Sequence, residues 1–182
     1  MEALIYLLNF AFDAYIMILV LRVWLQAVRA DFYNPFSQFV VKATNPIVVP
    51  FRRLVPGFAG LDMATILVAF VIACLKYFAL AAIQGQAIDA TSVLFIGLLF
   101  LIKQTGTLLF MIMLVMALMS WVVQSQSPAQ MVFHQLTEPF LRPIRRILPD
   151  MGGIDLSVIV AFLILNVINI LIGNIIPIWH YI

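Results

Sequence analysis

Charge is scarce in this chain. Ten Lys and Arg and eight Asp and Glu occur in 182 residues, 10% charged where soluble domains carry about 25%. A net charge of +2 gives no ground for nucleic-acid binding. Cysteine is scarcer still. Cys74 stands alone within an apolar run, which excludes an internal disulfide and points to a buried, inert thiol. No basic segment precedes the first apolar run, so no cleaved signal peptide is expected. The chain also lacks a P-loop, a dinucleotide glycine pattern, a Gly-x-Ser-x-Gly elbow and a His-Glu-x-x-His helix. Without a nucleophilic or acid–base constellation, no enzyme activity is expected.

What is abundant is apolar sequence, 65% of the residues. That defines a membrane protein. Four runs are long enough to cross a bilayer core, which takes about 20 helical residues. They lie near Ala3–Val23, Met63–Ile83, Leu98–Val123 and Leu156–Ile178. An isolated apolar span must be a helix, because only a helix closes its backbone hydrogen bonds within the segment. The stretch 90–101 either extends the third span or lies in the outer interface; the sequence leaves both open.

The chain also repeats itself. Residues Asn34 to Asp62 and Ser127 to Asp155 align without a gap at an offset of 93. They share 9 identities in 29 positions, and these are Pro, Thr, Arg, Gly and Asp rather than interchangeable aliphatics. A matching tryptophan, Trp24 or Trp121, precedes each copy. The expected fold is therefore an all-α membrane protein of four transmembrane helices. They form two tandem helix–amphipathic loop–helix repeats, related by a pseudo-twofold axis along the membrane normal. The first repeat covers 1–86 and the second 87–182, each with two spans and one Arg-Arg loop.

Both repeated loops are basic, with Arg29, Lys42, Arg52, Arg53, Arg142, Arg145 and Arg146, whereas the link between spans two and three holds Asp89 and no Lys or Arg. The positive-inside rule places the loops in the cytoplasm and both termini outside, in a bacterial inner membrane. On that topology His134 and His180 fall on opposite sides. No Cys or acidic cluster joins either, so no metal or other cofactor is expected.

Each loop opens on a helix start, Asn34-Pro35 or Ser127-Pro128, with the N-cap followed by proline. Apolar residues then recur with helical spacing at Phe36, Phe39, Val40 and Ala43, and at Ala129, Val132, Phe133 and Leu136. Such helices lie in the interface, apolar face down, or pack on the bundle. A second short turn is expected from Pro46 to Pro50 and from Pro139 to Pro143, ending before Pro56 and Pro149. Arg52, Arg53, Arg145 and Arg146 then reach the headgroup level. Guanidinium forks suit phosphate oxygens, so these four are candidates for anionic lipid or for a docked partner. Asp62 and Asp155 stand where helix N-caps belong.

Within the spans, Asp13 and Lys76 stand at comparable depth and are expected to pair, because an isolated charge at the bilayer centre costs roughly 2.5–3.5 kcal/mol. Lys76 aligns with Asn169 at the offset of 93. With Asn166, Asn169 and Asn174, the pair forms either an ion or proton path through a polar interior or a set of structural interhelical bonds. Arg22 and Lys103 are expected to snorkel toward opposite interfaces.

The segment Pro143-Ile144-Arg145-Arg146-Ile147-Leu148-Pro149, followed by Gly152-Gly153-Ile154-Asp155-Leu156-Ser157, resembles the signature of the YggT family of bacterial and plastid membrane proteins. The resemblance covers nearly the whole chain and is nearest the duplicated, proteobacterial type. The first copy departs from the pattern at Ala59-Gly60-Leu61-Asp62-Met63-Ala64, where Ala replaces the first Gly and the Ser, which puts a shared binding role in doubt. The resemblance implies an inner-membrane protein linked to osmotic-stress tolerance and potassium homeostasis. Plastid relatives imply cytochrome assembly, and Gram-positive ones cell division. It supplies no catalytic residues. Two functions are thus expected: a small channel-like or transporter-modulating bundle, as a homo-oligomer or with a membrane-protein partner, or a scaffold docked through the paired arginines.

Overall fold

In the computed structural model the described residues are 1–58, 60–122, 127–148 and 155–182, with only the backbone described at 120–122. They form six α-helices: α1 (Glu2–Ala27), α2 (Pro35–Arg52), α3 (Met63–Ile83), α4 (Ala90–Val122), α5 (Pro128–Arg145) and α6 (Leu156–Ile175). A 3-10 turn, Pro177–His180, follows α6. Among the described residues there is no strand. Four helices, α1, α3, α4 and α6, are long and apolar enough to cross a membrane. Val123, Pro149, Gly152, Gly153 and the Trp121 side chain, all used in the sequence reading, lie outside what is described.

Three boundaries differ from the sequence expectation. Residues 90–101 extend the third span, since α4 runs unbroken for 33 residues. At 1.5 Å per residue that is about 50 Å, longer than a hydrocarbon core of about 30 Å, so α4 must tilt or project. The fourth span ends at Ile175 rather than Ile178, because Ile176, held extended at φ −122° and ψ 92°, precedes Pro177. Finally, no separate turn begins at Pro46 or Pro139. Pro46 and Pro50 lie inside α2, and Pro139 and Pro143 inside α5. Each proline withdraws one N–H from the ladder, and packing of the helix on its neighbours carries it across the gap.

That packing also decides where the amphipathic helices lie. α2 buries Ser37, Val40, Thr44 and Val48, and α5 buries Val132, Leu136, Thr137 and Leu141. Both therefore pack on the bundle. The buried stripe of α2 is rotated from the expected one, leaving Phe39 62% exposed. The rotation is affordable because the Thr44 and Thr137 hydroxyls donate back to the Val40 and Phe133 carbonyls at 2.7 and 2.9 Å.

α2 and α5 meet each other at one end of the bundle. Asn34 Nδ2 donates to the Pro128 carbonyl at 2.6 Å, and the Phe36 and Phe133 rings stand edge-to-face at 5.1 Å. Nearby, Trp24 meets Phe140 at 5.3 Å. The largest core cluster lies here, built on Leu25, Val40, Met113, Val132, Leu136 and Leu141. The chain termini lie at the opposite end.

Candidate functional site

Two polar centres stand at the two ends of the α1–α3 pair, separated by an apolar layer of Ile16, Leu19, Ala69 and Ala73. At the α2/α5 end, Asp62 caps α3. Its carboxylate accepts from Thr65 N at 3.3 Å and from Thr65 Oγ1 at 2.5 Å. Arg52, in the last turn of α2, forks onto the same carboxylate through Nε and Nη2. Arg22 approaches it from α1, Nε to Oδ2 at 3.7 Å, and donates Nη1 to Thr44 Oγ1 at 2.5 Å and Asn45 Oδ1 at 2.9 Å. Arg22 was expected to snorkel; instead it is 3% exposed, held inside by three helices. Burial pushes the Asp62 carboxyl up, but the hydrogen bonds from Arg52 and Thr65 together outweigh it and hold the group below the usual carboxylate range.

The second half repeats part of this. Asp155 caps α6, accepting from Ser157 N at 3.0 Å and from the Ser157 hydroxyl. Arg145 forks onto it through Nε at 3.1 Å and Nη2 at 2.7 Å, and reaches Glu138 at 2.9 Å. Desolvation is again outweighed, here by Ser157 and Arg145, so Asp155 also sits below the ordinary range. α4 holds no arginine to match Arg22, and the Asp155 side chain stays 42% exposed. The four candidate arginines therefore divide. Arg52 and Arg145 are held by carboxylates within the chain, whereas Arg53 and Arg146 are exposed and form no ion pair among the described residues.

At the termini end, Lys76 Nζ donates to Asp13 Oδ1 at 2.5 Å. The ammonium also lies 4.0 Å from the Phe100 ring centroid and 5.4 Å from that of Tyr77. Lys76 is 4% exposed, and among the described residues this pairing and the aromatic faces compensate its charge. The pair forms the floor of a pocket of about 620 Å³, walled by Asn9, Gln84, Gln86, Gln104 and Thr107. Lys103, at the rim, does not reach for open interface. It donates to the carbonyls of Trp179 and Ile182 at 2.7 and 2.6 Å, which ties the chain end to the pocket mouth.

The asparagines of α6 do not join this pocket. Asn169 accepts from Trp179 Nε1 at 2.7 Å, and with Asn166 it lines a separate groove of about 350 Å³ between α4 and α6. Asn174 is exposed. A single polar interior containing Asp13, Lys76 and all three asparagines is thus corrected to two compartments, because the 3-10 turn and Lys103 lie between them. Among the described residues, no three His, Cys, Asp or Glu side chains come together as metal ligands. Sequence reasoning missed Arg22 and Glu138 as members of the arginine centres. A lone arginine near the end of an apolar run was the available signal for the first.

Four helices long and apolar enough to cross a membrane define the class, a multipass membrane protein. A family model for CCB3/YggT matches residues 1–83 and 95–176, and the chain belongs to that family. It is 52% identical over 182 residues to a Vibrio alginolyticus protein encoded in the proC 3' region, covering 98% of each chain. It is 47% identical over 170 residues to the Escherichia coli (strain K12) protein YggT, covering 93% of this chain and 88% of that one. A Pseudomonas aeruginosa protein is 38% identical over 180 residues, covering 94% and 89%. No solved structure matches the chain.

Proposed function

We propose that this chain is a non-enzymatic inner-membrane protein supporting osmotic-stress tolerance and ion homeostasis, potassium included, and that its working part is the pocket floored by Asp13 and Lys76. The reading takes the chain as two tandem copies about a pseudo-twofold axis, termini outside and arginine loops cytoplasmic. The observation that carries it is the placement of an ion pair at membrane depth beneath a polar pocket open at the termini end. Below the pair, Ile16, Leu19, Ala69 and Ala73 close the α1–α3 contact. The arrangement is a vestibule closed at its base, as a channel-like or transporter-modulating bundle requires at rest. Parting Asp13 from Lys76 is the step that would open it.

The second reading is a scaffold or assembly factor. It is favoured by the exposure of Arg53 and Arg146 beside Leu54 and Ile147, which are 79% and 84% exposed. That pattern suits an anionic headgroup layer, with apolar side chains entering and guanidiniums on phosphate.

Growth after a hyperosmotic shift separates the two. A deletion strain is complemented by wild type, by Asp13→Asn with Lys76→Met, or by Arg53→Gln with Arg146→Gln, with membrane levels checked. The vestibule reading expects failure of the span variant alone. Failure of the arginine variant alone would move the function to the loops. Full growth of both variants would end both readings.

A further inference from the structure

The pocket at the termini end holds more polar chemistry than its ion pair uses. Asp13 lines it with a side chain that stays 36% exposed, and among the described residues only its Oδ1 is taken, by Lys76. Gln104 of α4 lines the same space at 7% exposure, and its side-chain amide forms no hydrogen bond among the described residues. A buried amide without partners is costly until something in the pocket answers it. Asn9, one turn before Asp13 on α1, spends its Nδ2 on the Ile5 carbonyl at 3.0 Å and keeps its oxygen. Thr107 donates to the Lys103 carbonyl at 3.0 Å and also keeps an acceptor. A space of about 620 Å³ with a few such convergent groups has the size and lining of a small-molecule site.

Charge decides which molecule fits. Among the described residues, the charged side chains lining the pocket are Asp13, Lys76 and Lys103. A bare cation that takes Asp13 displaces Lys76 and leaves that ammonium, 4% exposed, without its carboxylate and beside a further positive charge. A bare anion that takes Lys76 strands Asp13 in the same way. A molecule carrying both signs replaces both partners at once, its carboxylate on Lys76 and its cationic end on Asp13. We propose that the pocket takes a small zwitterion, with its two charges a few bonds apart, and that Gln104 hydrogen-bonds its carboxylate. This rests on the vestibule reading above and deepens it, since such a ligand parts Asp13 from Lys76 without leaving either charge unpaired.

Thermal melts of the purified full chain in detergent test this, with glycine and glycine betaine as zwitterions. Methylammonium chloride and sodium acetate supply the two charges separately, and potassium chloride supplies a bare cation. Each zwitterion is expected to raise the midpoint saturably, by about 3–5 °C at about tenfold excess over Kd. The separate charges and potassium chloride are expected to give no saturable rise. Asp13→Asn with Lys76→Met, which removes both charges together, is expected to abolish the response. Gln104→Leu, which leaves the ion pair in place, is expected to weaken zwitterion binding about tenfold. An equal rise in wild type and the double variant would be general solute exclusion and overturns the proposal. A saturable rise with potassium chloride or methylammonium alone, lost in the double variant, overturns the zwitterion and leaves the vestibule standing for cations. If no probe gives a saturable rise, the zwitterion is overturned, and the growth test above decides separately whether the vestibule reading falls with it.

Discussion

Arg52 and Arg145 occupy matched positions and grip matched carboxylates, in different surroundings. Asp62 is almost wholly buried, whereas the Asp155 side chain is 42% exposed. The difference traces to one residue of the preceding span. Arg22 brings a second guanidinium onto Asp62, and α4 has no arginine to bring one onto Asp155. A buried carboxylate between two cations holds α1, α2 and α3 together. The same motif without the added arginine reaches sideways to Glu138 and joins only α5 and α6. One sequence signature thus serves as a core tie in one half and a surface clasp in the other.

Removing each carboxylate is the hardest test of that contrast. Asp62→Asn leaves the buried Arg22 guanidinium without its carboxylate and is expected to cost about 3–5 kcal/mol, against about 1 kcal/mol or less for Asp155→Asn. Thermal melts in detergent measure both; equal losses would erase the distinction. The pH dependence sharpens it. Both carboxyls lie below the ordinary range in the folded chain. Their contribution is therefore complete above the value of about 3.9 for an unfolded Asp and falls away as pH drops through the folded value. The gap between wild type and Asp62→Asn should shrink only in that acid range. A gap that closes near neutral pH would point to another group.

The pair at the other end is next in size. Asp13→Asn strands a buried ammonium, while Lys76→Met strands a carboxylate that is 36% exposed. Asp13→Asn should therefore destabilise more than Lys76→Met, and the double variant should recover much of the loss, since removing both charges removes the unpaired one. A double variant no better than Asp13→Asn would show that the two do not act as a pair. The smallest effect concerns the helix caps. Ser127 and Gln130 cap α5 reciprocally, whereas Asn34 caps α2 and also bonds Pro128 across the two halves. Ser127→Ala should cost about 1 kcal/mol and Asn34→Ala more, by about one further hydrogen bond. Equal costs would mean that the bond between halves adds nothing.

Much of the fold was legible because the signals are local. The starts of α3 and α6 follow from Asp62 and Asp155 ahead of apolar runs, and those of α2 and α5 from Asn34-Pro35 and Ser127-Pro128. The course of α2 through Pro46 and Pro50 was not legible. Proline penalises a helix by a local rule, and only contact with α1 and α3 outweighs it. The candidate site was half legible. Opposite charges in neighbouring spans suggested Asp13 and Lys76, but nothing in the spacing of Arg22, Asn45, Arg52 and Asp62 signals that they converge.

By itself the sequence determined the number of spans, their ends to within a few residues except the start of the third, the caps and the membrane class. These depend on apolar length and on the first turn of a helix, interactions that reach no farther than about four residues. Only the tertiary structure decided which arginines are held and which are free, that Arg22 lies inside, and that the asparagines of α6 lie apart from the Asp13–Lys76 pocket. Those outcomes depend on how helices rotate about their axes as they pack. A bilayer makes every apolar face nearly equivalent, so hydrophobicity alone sets no rotation; close fit and a few polar contacts do.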